Sequence, residues 1–423
     1  MAEGIFGIFY FDQENKVDRK QLLQMATFIQ FKSDEIALIN KGPIGIGLKR
    51  VPRIREFQVS EIRCNETNDI WAAFLGEIYN YSDIRRILEQ KHDFRTLSDV
   101  ELVTHLYEEY GNGFAKMING QFVIALWDER EQKFMLIRDR FGGIRSLYYL
   151  VNNDSLIFAS QIKFILNISK IEKRIDTNAL ELFLKYSYIP SPHTIFNGVK
   201  KLIPGHFLLC QSGRIRCEKY WDFTTPEVKI EDEEFASKEY LSLLEKAIQI
   251  RLRSDTDVGI LLSGGLDSSS IVALTSKLSE KQLNTFSIGF QNSHLSELKY
   301  ARIVSEVFNT KHHELTMDSG FIKYFPLLIR YLEEPYTEAG ALLTLAALKL
   351  AKEKVEVVLG GEGADQLFGV EGQCLAIRSI LERAFSLRLV KKICHYFDDW
   401  PLFRKDNILY LSLIHISEPT RPY

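Results

Sequence analysis

The sequence predicts two domains of different fold class: a sheet-dominated α+β domain, then an α/β domain built on a parallel, doubly wound sheet. Three observations carry this. Short apolar and β-branched runs, broken by turn signals, fill residues 1–215. From Phe235 onward, apolar strands alternate with segments of helical spacing. Between them, residues 216–234 end in a polar, acidic stretch from Thr224 to Glu234, which reads as a linker. At 423 residues the chain has room for two or three domains with proper cores.

In the first domain, strands are expected at Ile5–Phe11, Ile70–Leu75, Gln121–Trp127, Lys133–Arg138 and Leu156–Ala159. Turn pairs such as Asn112-Gly113 and Asn119-Gly120 separate several of them. Helical spacing is confined to Val100–Tyr110 and Asn178–Tyr186. In the second domain, residues 235–411, Leu241, Leu244 and Ile248 open a helix. The strand Val258–Leu262 follows, then a glycine-rich turn and a helix through Leu274. Strand Thr285–Gly289, helix Glu297–Phe308 and strand Glu356–Leu359 continue the alternation. Residues 412–423 read as a non-native tail.

Bulk properties narrow the function. The composition, 46% hydrophobic and 26% charged, is that of an ordinary globular protein. A net charge of −3 offers no basic field for nucleic acid or anionic lipid. The five cysteines, at 64, 210, 217, 374 and 394, show neither a CxxC pair nor metal-ligand spacing and read as reduced thiols. Glu3 interrupts the apolar start, which lacks a basic flank, so it does not read as a signal peptide. The longest uncharged stretches, such as Ala339–Leu348, are too short to span a bilayer. A cytoplasmic enzyme acting on small molecules, with no membrane or nucleic-acid partner, is the expectation.

The chemistry concentrates in Val258–Ser269, where a buried strand runs into Ser263-Gly264-Gly265 and then a helix. Glycines there let successive backbone N–H groups converge on an anion, and the helix N-terminus adds partial positive charge. Leu262 closes the strand; Ser263, Ser268 and Ser269 offer hydroxyls, and Asp267 a carboxylate suited to Mg²⁺. No Gly-Lys-Ser/Thr follows, so this is not a Walker A loop. Without that lysine, pyrophosphate as leaving group is the natural reading, with attack at the α-phosphate of ATP. A glycine-rich turn that only starts a helix is the bland alternative. A second loop, Gly360-Gly361-Glu362-Gly363-Ala364-Asp365, again follows an apolar strand and carries two acids three residues apart. Asp365 is placed to share Mg²⁺ with Asp267, and Glu362 to take a proton from an attacking amine; a solvated acidic turn is the alternative.

With both loops in hand, the chain resembles the asparagine synthetase family over most of its length. The resemblance rests on Ser263–Ser269, Phe286–Phe290, Lys311–Glu314, Glu334-Pro335-Tyr336 and Gly361–Asp365 in the second half. In the first half it rests on Gly76–Asn80, Arg138–Gly142 and Tyr220-Trp221. It implies a class II glutaminase-like sandwich of the N-terminal-nucleophile type, followed by a pyrophosphate-loop ATP-binding domain that ends early, near Tyr410. It also implies that Ser263–Ser269 hold pyrophosphate, that Asp267 and Asp365 bind Mg²⁺, that Glu362 acts near an acyl-adenylate, and that Ile288 and Gly361 contact adenosine. His312 and His313, adjacent on a strand, point to opposite faces and read as structural. A homodimer is compatible with this reading.

One departure matters. The family's glutaminase uses a cysteine exposed at the chain start, whose own amine takes part in the mechanism. Here residue 2 is Ala2, and Glu3 stands where the cysteine belongs. The asparagine expected before Gly76-Glu77 is Leu75, and the family's Arg-Gly-Pro-Asp stretch gives way to Phe31-Lys32-Ser33-Asp34. Arg50, Gly76, Glu77 and Asp99 survive as a vestigial glutamine site. Arg138–Tyr149 also holds one residue more than the usual family spacing, near Gly142-Gly143. The first half is therefore expected to be inactive. The chain then joins a carboxylate to an amine without hydrolysing glutamine, as β-lactam synthetases and lasso-peptide cyclases of the wider family do. Two alternatives stay open: a glutamine-dependent asparagine synthetase with a misassigned start, and a non-catalytic scaffold binding nucleotide or peptide.

Overall fold

The computed structural model describes residues 3–27, 35–50, 61–143, 145–168, 171–224, 232–252, 257–290, 297–337 and 340–368. The expected early end near Tyr410 and the tail at 412–423 lie outside the described residues, as do Phe31–Asp34. The chain forms two compact units: Met1–Lys238 with Ile329–Thr337, and Glu239–Leu328 with Glu338–Tyr423. Among the described residues no helix is long and apolar enough to cross a membrane.

The first unit contains β1 (Gly4–Tyr10), α1 (Arg19–Ala26), β2 (Glu35–Lys41), β3 (Ile44–Arg50), β4 (Glu61–Cys64) and β5 (Ile70–Ile78). Then come α2 (Tyr81–Leu88), α3 (Asp99–Tyr110), β6 (Gly120–Asp128), β7 (Lys133–Arg138), β8 (Tyr148–Val151) and β9 (Ser155–Ala159). It continues with α4 (Ile162–Leu166), α5 (Thr177–Tyr186), β10 (Val199–Lys201), β11 (His206–Gln211) and β12 (Arg214–Lys219). Two six-stranded sheets result, ordered β10-β8-β9-β1-β3-β2 and β12-β11-β7-β6-β5-β4.

Side-chain alternation explains how these sheets stack. Ile5 and Phe9 of β1 point into a core shared with Leu75, Trp127 and Leu136 of the other sheet. Phe6 and Ile8 point the other way, onto Leu22 and Met25 of α1 and Phe164 of α4. On the second sheet, Phe122, Ile124 and Leu126 of β6 meet Val103 and Leu106 of α3. The layers are helix, sheet, sheet, helix. Both faces of β1 and β6 are buried, which is why their sequences are continuously apolar.

The end of the first unit differs from expectation. Strand β12 runs to Lys219, and Tyr220 is buried, its hydroxyl donating to the Arg138 carbonyl at 2.8 Å. Ordered structure thus extends past residue 215 into the span read as linker. Strand β12 escapes sequence reading because it lies at a sheet edge and exposes most of its side chains.

The second unit contains α6 (Glu233–Gln249, whose first residues fall in the first unit), β13 (Val258–Leu261), α7 (Leu266–Leu278), β14 (Asn284–Phe290) and α8 (Leu298–Val307). After β15 (Lys311–Met317) and α9 (Phe325–Leu332, whose last residues from Ile329 fall in the first unit) come α10 (Gly340–Ala351), β16 (Val357–Leu359) and α11 (Ala364–Phe368). Its sheet, β15-β14-β13-β16, is parallel throughout. Ile271 and Val272 of α7 and Ala301 of α8 pack with Ile260 and Leu262. Ala351 of α10 packs with Phe286 and Val355 in a separate cluster. Strand order therefore reverses at β13, which lies between β14 and β16. Loops leaving the carboxyl ends of β13 and β16 meet at that switch point, where open α/β sheets bind ligands.

Candidate active site

The loop after β13 is shaped by its glycines. Gly264 adopts φ +90°, and a Cβ there would lie 2.6 Å from the Ala301 backbone nitrogen. Only glycine fits both the left-handed conformation and this close approach of α8. Ser263 and Ser268 hold the turn: the Ser263 amide donates to Ser268 Oγ at 3.2 Å, and the Gly265 amide to Ser263 Oγ at 3.1 Å. Ser287 ties β14 to the loop by donating its hydroxyl to the Leu262 carbonyl. Helix α7 then follows Gly265, an N-cap without a side chain, so its first-turn N–H groups have neither an intrahelical acceptor nor a capping side chain. Ser269 Oγ is buried and has no hydrogen-bond partner.

The second loop lies against the first. A Cβ on Gly361 would come within 3.2 Å of Asp267 Cβ and 3.4 Å of the Ser268 nitrogen. Gly363, at φ +99°, turns the chain into α11, which begins beside Asp365. Asp267, Glu362 and Asp365 are all exposed. Ile288 sits half-buried in β14, opposite Leu315. The structure therefore brings together Leu262–Ser269 and Gly361 from segments nearly a hundred residues apart. Sequence reading missed Tyr300 and Ala301, which form the floor under Gly264, because nothing local marks a packing contact made across 36 residues. His312 and His313 are engaged within the sheet: His312 Nδ1 lies 2.8 Å from Thr285 Oγ1, and His313 Nε2 lies 2.9 Å from Asn284 Oδ1.

In the first unit, the positions expected to hold glutamine are spread over β3, β5 and α3. Gly76 takes φ +145°, with the Gln121 carbonyl 2.0 Å from where a Cβ would be. Glu77 follows it in β5, and Asp99 opens α3 behind the Ser98 cap. Arg50 ends β3, and its side chain lies outside the described residues.

The chain start is built into polar pairs. Glu3 lies 3.5 Å from the Arg145 guanidinium, and Gln161 Nε2 donates to the Glu3 carbonyl at 2.7 Å. Beside it is a cavity of about 310 Å³, lined by Glu3, Arg145, Tyr148, Lys163 and Glu333 among others. Glu333 is unforeseen from sequence. Its carboxylate accepts from the Ile162 and Lys163 amides at 2.9 and 3.1 Å, capping α4, and pairs with Lys163 Nζ at 3.3 Å. This contact holds Ile329–Thr337 in the first unit despite its place in the sequence. Among the described cysteines, burial pushes the Cys64 and Cys217 thiols up and raises Cys210 to about 12, the opposite of an activated nucleophile.

Comparison with known proteins agrees with this two-part architecture. A glutamine amidotransferase domain matches residues 2–221, and an asparagine synthase domain matches residues 239–396. Such a pairing defines an amidotransferase-like module joined to a nucleotide-using synthase module. The chain belongs to the asparagine synthetase family. It is 30% identical over 361 residues to glutamine-hydrolysing asparagine synthetase 1 of Bacillus subtilis, covering 85% of this chain and 56% of that protein. To asparagine synthetase 2 of the same organism it is 28% identical over 384 residues, covering 82% and 50%. An amidase of Gibberella zeae is 30% identical over 325 residues, covering 72% and 48%. The chain thus spans about half the length of these curated relatives.

Proposed function

We propose that this chain is an ATP-dependent, AMP-forming amide ligase that activates a carboxylate for attack by an amine without hydrolysing glutamine. The observation that carries the reading is the Leu262–Ser269 loop, with its left-handed glycine, uncapped helix start and orphaned Ser269 hydroxyl. On this reading Ser263, Gly264, Gly265, Ser268 and Ser269 bind pyrophosphate oxygens, while Leu262, Ile288 and Gly361 border the adenosine. The donors available for a cation are exposed carboxylates, Asp267 and Asp365, which suit a hard ion with oxygen ligands. Mg²⁺ held by these two residues would neutralise charge on the departing pyrophosphate.

The reaction proceeds in two balanced steps. A carboxylate oxygen of the substrate attacks the α-phosphorus of ATP, and the bond to the bridging oxygen breaks to release pyrophosphate. The amine nitrogen then attacks the acyl carbon, the carbon–oxygen bond to AMP breaks, and Glu362 takes the surplus proton from nitrogen. Helix N-terminus and backbone N–H groups aimed at the phosphates stabilise charge where it develops.

The first domain, which β12 and Tyr220 extend past residue 215, serves as scaffold on this reading. Glu3 at the expected nucleophile position and the raised thiols of Cys64, Cys210 and Cys217 support that. The second reading, glutamine-dependent synthesis of asparagine, is favoured by the named activity of the two Bacillus subtilis relatives and by the retained Gly76.

Pyrophosphate release from ATP, with aspartate plus ammonia or glutamine, separates these readings. Turnover with ammonia alone supports an ammonia-using ligase. Equal turnover with glutamine favours the second reading. Silence with both donors, while ATP binds, points to another carboxylate and amine. Failure to bind ATP overturns the proposal.

A further inference from the structure

Outside the residues assigned to this reaction, one side-chain cluster in the first unit has the makings of a metal site. Glu66 lies in the turn between β4 and β5, His92 follows α2, and His105 and Glu108 stand three residues apart on α3. One donor atom from each lies within 4.8 Å of the other three. We propose that Glu66, His92, His105 and Glu108 bind a structural divalent zinc ion.

Three of the four distances exceed ordinary hydrogen-bond length, and the fourth is a hydrogen bond that a bound ion would replace. His92 Nδ1 lies 3.5 Å from Glu66 Oε1 and 3.7 Å from Glu108 Oε2; His105 Nδ1 lies 3.6 Å from Glu66 Oε2. These are too long for hydrogen bonds. The fourth, His105 Nδ1 to Glu108 Oε2, is 3.0 Å. Zinc binds nitrogen and oxygen at about 2.0–2.2 Å, which places neighbouring ligands of a tetrahedron about 3.3–3.6 Å apart. The observed separations, 3.0 to 3.7 Å, lie around that edge length, with His92 measured to one Glu66 oxygen and His105 to the other, so a small turn of that carboxylate would complete the set. Both imidazoles turn the same nitrogen toward both carboxylates, and their rings stack with centroids 4.4 Å apart.

The surroundings orient the donors. Asn65, itself buried, donates from Nδ2 to Glu108 Oε1 at 2.7 Å and leaves Oε2 to face the histidines. The Asp93 amide donates to Glu66 Oε1 at 3.3 Å. Glu109 Oε1 lies 3.3 Å from His92 Nε2 and adds negative charge beside the ring, although Nε2 makes no hydrogen bond. Phe94 packs edge-on against the His105 ring at 4.8 Å. Two imidazoles and two carboxylates in a compact set suit zinc better than Mg²⁺ or Ca²⁺, which take oxygen ligands. Four protein ligands leave no open position, so the ion would be structural. It would staple the β4–β5 turn and the strand-free segment 92–98 to α3. Glu66, the most exposed ligand at 30%, marks the side from which the ion enters.

The test is metal retention by the whole chain. After EDTA treatment, zinc addition and desalting, elemental analysis should find one equivalent bound. Co²⁺ in its place should show the visible bands of tetrahedral coordination. His92→Ala and Glu66→Gln, both at partly exposed positions, should each weaken zinc binding by more than about a hundredfold. Zinc should raise the melting temperature of the wild type but not of the variants. Metal-free variants melting with the metal-free wild type would establish that they fold. Less than one equivalent at saturating zinc, or variants that bind zinc as the wild type does, would overturn the proposal.

Discussion

The chain start of β1 and the loop after β13 follow opposite logics. Around the second, polar groups are left open: Asp267, Glu362 and Asp365 face solvent, and Ser269 Oγ is buried without a partner. Around the first, most polar groups answer one another, and Gln161 Oε1 alone of those named is buried without a partner. Glu3 faces Arg145, Gln161 donates to the Glu3 carbonyl, and the Ile5 amide donates to Ser160 Oγ at 3.1 Å. Glu333 completes the set by capping α4 and pairing with Lys163. Groups that await a ligand carry an unmet desolvation cost, whereas groups satisfied internally lower the energy of the fold itself. On the proposed reading, the first unit's chain start is mainly structural, while the second unit's loop after β13 is open for a ligand.

The largest effect expected from breaking this contrast is on the open loop. Asp267→Ala should cut pyrophosphate release by roughly 10²–10³-fold or more, the scale of removing one charge-stabilising group from a transition state. The thermal midpoint should barely change, because Asp267 is exposed. Turnover retained at wild-type levels would remove the loop from the chemistry.

Glu333→Ala comes next, and its effect should fall on stability. Lys163 and Glu333 are about nine-tenths buried, so deleting the carboxylate strands a buried ammonium and uncaps α4. A loss of about 3 kcal/mol is expected in urea unfolding. Burial pushes the Glu333 carboxyl up, against the pull of Lys163 and the α4 amides. With its folded value raised, the contribution of its titration is fully present below the ordinary glutamate range and lost as pH rises through the elevated value. Glu333→Gln should remove that slope while keeping an acceptor for the α4 amides. An unchanged slope would assign the pH dependence elsewhere.

How legible these features were depended on how local their signals are. Strands β1, β6, β7 and β13 were readable because burial on both faces demands unbroken apolar runs. The geometry of the loop after β13 was readable because a strand, two glycines and a helix start are consecutive in sequence. Edge strand β12, with mostly exposed side chains, left no periodic trace. Glu333 was hidden for another reason: its partner Lys163 lies 170 residues away, and nothing in the adjacent pair Glu333-Glu334 marks which acid provides the cap. The Glu66, His92, His105 and Glu108 cluster was hidden likewise, since cysteine and histidine spacing rules do not reach ligands drawn from three separate elements.

A stability change of comparable size should follow Gly264→Ala. The left-handed backbone costs a non-glycine residue about 1–3 kcal/mol, and the added Cβ would press on the Ala301 nitrogen and Tyr300 Cβ, both 2.6 Å away. Turnover should fall with it as the loop shifts from the position that Ser263 and Ser268 hold. A variant of wild-type stability would mean that α8 yields easily, and the loop would then be less preorganised than its hydrogen bonds imply.

The smallest expected effect is the sharpest test of the contrast. Glu3→Gln keeps the shape of the side chain and removes its charge opposite Arg145, a partly exposed pair 3.5 Å apart. Such a pair contributes at most about 1 kcal/mol, so the thermal midpoint should move little. Pyrophosphate release with ammonia should stay within about twofold of wild type, since nothing in the proposed reaction draws on Glu3. A loss of about tenfold or more, equivalent to about 1.4 kcal/mol in the barrier, would mean that the chain start still serves the reaction, and its polar pairs would have to be read as a charge set held for a ligand.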